Sequence, residues 1–161
     1  MRILHIFDHS LPLQTGYSFR SAAILREQAA LGWETFQLTS SKQGAFTQKL
    51  EHAGDFKFYR TPHLKLPWWN HPVLEQLNVI RSIRRRLQEV IYEVRPDILH
   101  AHSPCLNGLA ALGLGVPLVY ELRSSWEDAA VSNGQTKEGS LRYRLSKSLE
   151  THLLRRASAV T

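Results

Sequence analysis

Cysteine is nearly missing from this chain: Cys105 is the single one in 161 residues. No intrachain disulfide can therefore staple the fold, and a lone thiol fits a reducing compartment, so a cytoplasmic protein is expected. No apolar run approaches the ~18 residues that span a bilayer, and Met1-Arg2 leads straight into a strand-like run instead of a signal peptide. Internal repeats and low-complexity stretches are also lacking. Of the nine glycines, none falls into G-x-G-x-x-G or G-x-x-x-x-G-K, which removes a dinucleotide fingerprint and a triphosphate P-loop. What is present is ordinary for one globular domain: 43% hydrophobic and 21% charged residues, unlike a disordered tail or a collagen-like chain. The formal net charge of +6 suits nucleic acid, anionic lipid or a phosphorylated substrate equally and does not choose among them.

Hydrophobic periodicity then divides the chain. Ile3 to Phe7 is a short, nearly continuous apolar run, as in a parallel strand covered on both faces. After a loop from Asp8 to Gly16, the positions Phe19, Ala22, Ala23, Arg26, Ala29 and Ala30 recur at helical spacing, and Gly32 is placed to stop that helix. Trp33 to Thr39 alternates as a second strand, and Phe56 to Tyr59 reads as a third. A Pro- and Trp-rich loop, Pro62 to Pro72, precedes a long amphipathic helix from Val73 to Val94 with an apolar stripe of Leu77, Ile80, Ile83, Leu87, Val90, Ile91 and Val94. Pro96 ends it, and Asp97 to His102 begins the next strand. Leu106 to Leu114 suits a helix and Val116 to Leu122 a strand, followed by a polar loop at Ser132 to Gly139. Leu141, Leu145, Leu149 and Leu153 mark a final helix, and Ala157 to Thr161 starts a further strand. Strands alternating with helices predict an α/β fold: a Rossmann-like three-layer sandwich with a mostly parallel sheet.

In such sheets ligands gather beyond the carboxyl ends of the strands, so three loops carry the candidate site. The first holds Asp8, His9, Ser10, Gln14, Thr15 and Gly16 before a helix N-terminus, whose free N–H groups suit a hydroxyl or phosphate, although a plain turn explains it as well. In the second, His100 and His102 share one strand face, with Ser103 next; His100 reads as a buried, hydrogen-bonded residue and His102, nearer the strand end, as the one to meet a ligand. No Cys, Asp or Glu completes a zinc spacing, so no metal is expected. The third loop, Glu121 to Asp128, contains Arg123, a fork of donors for phosphate, three carboxylates including Glu127, and the flat face of Trp126 for a sugar or lipid. An internal Arg–carboxylate clamp is the alternative there. The arginines at 81 and 84–86 have no interleaved aromatics, which speaks for a solvated face and against nucleic acid.

Taken together, Met1 to Ile6, the Pro12 to Gly16 loop, Arg95 to His102 and Val116 to Tyr120 resemble the N-terminal domain of family-4 glycosyltransferases. The closing stretch, Leu149-Glu150 through Thr161, is similar to that family's last helix and sixth strand. The opening and the Arg123 to Asp128 segment resemble glycosyltransferases associated with the exosortase A system of bacterial exopolysaccharide clusters. The resemblance implies one half of a GT-B fold, with residues 1–161 as the acceptor-side domain and the donor-binding C-terminal domain outside this chain. It implies retaining transfer from a nucleotide-sugar to a polysaccharide or lipid-linked acceptor, with no cofactor and no metal on an Asp-x-Asp motif, and no turnover by this domain alone. Two positions depart from the family. Thr15-Gly16 stands where Gly-Gly is common, and Arg123 stands where many members place a histidine near the donor sugar.

Arg123 and His102 are thus the expected catalytic residues, and Thr15, Gly16, Tyr17, Ser103, Trp126 and Glu127 the expected substrate contacts. A stand-alone Rossmann-like ligand-binding or regulatory domain is the competing expectation. Trp68, Trp69 and the arginines of the long helix either rest on an anionic membrane, at its inner face, or pack against the sheet.

Overall fold

Side chains along a parallel strand alternate between two covered faces, and in this protein the two faces differ chemically. The computed structural model describes residues 1–44, 46, 48–63, 72–123 and 140–161. Along the chain run β1 (Arg2–Phe7), α1 (Gly16–Ala30), β2 (Glu34–Thr39), a short 3-10 turn (Ser41–Gln43), β3 (Leu50–Ala53), β4 (Phe56–Tyr59) and α2 (Pro72–Val94). Then come β5 (Ile98–His102), α3 (Cys105–Ala111), β6 (Leu118–Glu121), α4 (Leu141–Arg156) and β7 (Ala159–Val160). The described strands form one sheet in the order β3-β4-β2-β1-β5-β6-β7. Every pairing is parallel except β3 with β4. This is the expected Rossmann-like sandwich.

One face of the sheet is apolar. Leu4 and Ile6 of β1, Leu99 and Ala101 of β5, and Leu118 and Tyr120 of β6 join Val79, Ile83, Leu87, Val90 and Val94 of α2 in a single buried cluster. That confirms the predicted α2 stripe, except that Leu77 at its start is 51% exposed. Helix α3 fits into the same layer because Gly108 has no side chain: a Cβ there would lie 2.5 Å from Cδ2 of the buried Leu153 of α4.

The alternate residues of the same strands, His5, His100, His102 and Glu121, point to the other face, which α1 covers. Its buried residues are Ser18, Ser21, Ala22 and Leu25. The predicted face of α1 is therefore corrected: Phe19 is 55% exposed, because the surface this helix must match is largely polar. The final helix marked by the leucines is present as α4, with Leu153 buried and Leu141, Leu145 and Leu149 exposed. Strand β3 went unpredicted. It forms a hairpin with β4, pairing Ala53 with Phe56 across Gly54-Asp55, and Gly54 at φ 60° supplies the left-handed turn. Trp68, Trp69 and the Ser132 to Gly139 loop lie outside the described residues.

Candidate functional site

The carboxyl ends of β1, β5 and β6 converge beneath the N-terminal turns of α1. Thr15 caps that helix, its Oγ1 accepting from the Ser18 amide at 3.1 Å, and it lies 2.9 Å from His9 Nε2. Gly16, the first helical residue, is exposed, with nothing within 4 Å of where a Cβ would stand. Tyr17 turns inward: its hydroxyl accepts from the Asp8 amide at 3.1 Å and its ring stacks under the Arg123 guanidinium, 4.2 Å away.

Glu121 sits at the centre. Its Oε1 accepts from Arg20 Nη2 of α1 at 2.8 Å and from Arg123 Nε at 3.2 Å. Burial works to raise the Glu121 carboxyl, but contact with His102 and Arg123 outweighs it and pulls the group down to about 2, so the carboxylate is ionised. The Arg123 side chain is only 8% exposed. It also donates to Ser21 Oγ at 3.0 Å, to the Tyr17 carbonyl at 3.4 Å and to His102 Nδ1 at 2.9 Å. Ser103 ties the two strands together, donating to the Glu121 carbonyl at 3.0 Å and accepting from the Arg123 amide at 2.8 Å.

From Arg123 a chain of hydrogen bonds runs into the sheet. His102 Nε2 lies 2.9 Å from His5 Nδ1, and His5 Nε2 lies 2.8 Å from Gln28 Oε1, so the proton positions along the chain are set together. Glu121 Oε2 lies against His102 Nδ1, and His100 Nε2, 3.8 Å from it, is a buried nitrogen without a hydrogen-bond partner. The sequence reading of His102 as the histidine to meet a ligand is corrected here. His102 is fully buried and relays through its neighbours, whereas the His100 side chain keeps 16% exposure and an unpaired nitrogen. His5, missed in the sequence, is fully buried.

Candidate ligand atoms of His5, His100 and His102 lie within 4.8 Å of one another. Their rings do not suit a shared ion, however. His102 stacks with both neighbours, at centroid separations of 4.2 Å and 5.2 Å, so the lone pairs run side by side instead of meeting at a point. Arg123 also brings a cation to the same cluster.

Burial takes His102 down to about 3 and lowers His5 and His100 as well, so all three are neutral in the folded protein. The unfolded chain binds protons on them below about pH 6.5, and by linkage stability falls as pH drops from there toward 3. Glu121, depressed to about 2, loses its contribution in the lower window from about 4.5 to 2. The urea midpoint is therefore expected to decline from just below neutrality, as the unfolding free energy falls by up to about 1.4 kcal/mol per pH unit for each histidine. A midpoint that stays level between pH 7 and 5 contradicts this.

Of the residues expected from sequence, Arg123, His102, Thr15, Gly16, Tyr17 and Ser103 come together here, while Trp126 and Glu127 lie outside the described residues. Arg20, Gln28 and His5 were missed because only the register of β1 against β5, with His5 opposite His100, and the placement of α1 bring them in.

Residues 15–161 match the model of the glycosyl transferase 4-like domain. The chain belongs to that family. Among solved structures it resembles sucrose-phosphate synthase from Thermosynechococcus elongatus, with a TM-score of 0.68 and 16% identity over 99% of this chain and 41% of that one. It is also similar to MurG from Acinetobacter baumannii, with a TM-score of 0.53 and 14% identity over 99% and 40% of the two chains. The UDP-GlcNAc 2-epimerase from Neisseria meningitidis, bound to UDP-GlcNAc, matches with a TM-score of 0.53 and 13% identity over 100% and 46%. This glycosyl transferase 4-like domain thus spans less than half the length of each, and the likeness is one of fold: the architecture of one GT-B half. No curated protein matches it significantly by sequence.

Proposed function

We propose that this chain is the acceptor-side, N-terminal half of a retaining glycosyltransferase. It would act with a donor-binding C-terminal domain outside residues 1–161, moving a sugar from a nucleotide-sugar to a polysaccharide or lipid-linked acceptor in bacterial exopolysaccharide synthesis. The observation that carries the reading is the family match along residues 15–161. The polar cluster at the strand ends supports it, since the ionised Glu121 holds Arg20 and Arg123 beside the first loop.

In this reading the acceptor hydroxyl forms the new bond to the anomeric carbon from the face on which the bond to the diphosphate breaks, and its proton passes to the departing diphosphate. Positioning and charge stabilisation then matter more than a strong base. Thr15 and Gly16 border the acceptor, with Trp126 and Glu127 proposed from sequence as sugar contacts. Arg123 and His102 hold Glu121 and Tyr17 in place, and Arg20, with a side chain 59% exposed, is the arginine free to face a leaving diphosphate. The reaction is proposed to need no resident metal or cofactor, in the cytoplasm and without nucleic acid. Two arginines of α2 serve the fold instead: Arg84 donates to the carbonyls of Ala110 and Leu112, and Arg86 to Glu89 and the Lys49 carbonyl.

The test is a panel of nucleotide-sugars offered to the 161-residue chain and to a version extended with the coding sequence that follows it. Release of nucleoside diphosphate and glycosylated product is expected only from the extended protein. Transfer by the chain alone would overturn the division of labour. A folded, extended protein that binds sugars without transferring any would favour the regulatory-domain reading.

A further inference from the structure

Helix α4 carries an outer face that combines exposed leucines with cations. Leu141, Leu145 and Leu149 follow one another four residues apart, a spacing that lines them up along one side of a helix. They are 75%, 52% and 45% exposed. Beside this row lies a shallow groove bordered by Arg144, Lys147, Ser148, Thr151, His152 and Arg155, with Arg156 exposed at the helix end. The one carboxylate of the helix, Glu150, is turned the opposite way, buried and accepting from the Tyr120 hydroxyl at 2.9 Å. None of Arg144, Lys147, Arg155 and Arg156 has an ion pair among the described residues.

From this pairing of apolar and cationic groups we infer that α4 is a membrane-docking helix, which rests its leucine row on an anionic lipid surface. The charge argument selects an anionic partner, because a face with four cations and no accessible carboxylate among the described residues repels itself until counter-charge arrives. The leucines select lipid over nucleic acid or a soluble polyanion. Those ligands would neutralise the arginines but leave three large apolar side chains in water, whereas a bilayer interface takes the leucines into its acyl boundary while Lys and Arg reach the headgroups. By contrast, Arg84 and Arg86 of α2 are bound to the fold, and the exposed Arg85 of that helix lies near Glu89. Because α4 runs back from the carboxyl ends of the strands, where the candidate site lies, docking through it would hold that site near the lipid surface. The docking itself does not depend on the transfer reading, since it is measured without any sugar donor.

Sedimentation with phosphatidylcholine vesicles containing phosphatidylglycerol tests it. The chain is expected to pellet with these vesicles and not with phosphatidylcholine alone. Lys147→Gln and Arg155→Gln should each weaken binding about fivefold, and Leu145→Ser about tenfold, with melting temperatures unchanged. Arg85→Gln on the exposed face of α2 should bind like the parent. The inference is overturned if the parent ignores phosphatidylglycerol vesicles, or if the leucine variant binds as tightly as the parent. It is also overturned if Leu145→Ser lowers the melting temperature by several degrees, because those leucines would then be covered by another part of the chain.

Discussion

Replacing Arg60 with methionine is expected to lower stability by about 3–5 kcal/mol, the usual cost of removing one partner from a buried ion pair. In a domain of this size that corresponds to roughly 10 °C in melting temperature. Arg60 is fully buried. Its Nε donates to Glu51 at 2.8 Å, its Nη1 to Ser10 Oγ at 2.7 Å, and its Nη2 to the Leu11 carbonyl at 2.7 Å, while the guanidinium lies 4.7 Å from the Phe58 ring centroid. From the other side Gln43 accepts from the Ser10 amide at 2.8 Å. The loop between β1 and α1 is thus pinned to the β3–β4 hairpin by one guanidinium. Methionine preserves most of the stem but leaves Glu51 without this donor and the Leu11 carbonyl with the Ser10 hydroxyl in place of two donors. Lysine at this position recovers only a fraction, because one ammonium cannot reach three partners set around a planar fork. Hydrogen exchange over residues 8–15 should rise in both variants. A loss below 1 kcal/mol would show that the loop holds its shape without this residue.

Arg123→Ala is expected to cost about 3 kcal/mol as well, and in the extended enzyme to reduce kcat on the order of a hundredfold. The two effects have different sources. Stability falls because Glu121, Ser21 and His102 lose a shared donor. The rate falls if the freed Glu121 and Tyr17 no longer hold the acceptor. Rescue by lysine is a poor discriminator, since the guanidinium serves several groups and stacks on Tyr17, none of which an ammonium reproduces together. The informative comparison is Arg20→Ala. Arg20 is exposed and bound through Glu121 alone among the described ion pairs, so a kcat loss there with unchanged melting temperature would locate the diphosphate-facing cation on α1. Near-normal kcat in folded Arg123→Ala leaves that residue as scaffold.

Much of this architecture is readable from periodicity, and the failures share a cause. The stripe on α2 and the apolar runs of β1 and β5 report burial against other apolar groups, which composition records directly. Helix α1 gave a misleading stripe because it packs on His5, His102 and Glu121, and polar-on-polar packing has no hydrophobic signature. The α4 leucines carry a helical period but no statement of which side meets the protein. Strand β3 is four residues long and is held by its partner β4, not by its own pattern.

The candidate site divides along the same line. The amino-acid sequence alone determined the order of strands and helices, the three strand-end loops, and the family resemblance, because each depends on neighbours along the chain. Only the tertiary structure decided that Arg123 is buried in a clamp, that His102 relays to His5 while His100 keeps an unpaired nitrogen, and that Arg60 reaches Ser10. Those facts depend on register and on side chains far apart in the chain meeting in one place. Hydrogen bonds are short-ranged and directional, so the roles of such residues are set by a separation in space that their spacing in sequence does not encode.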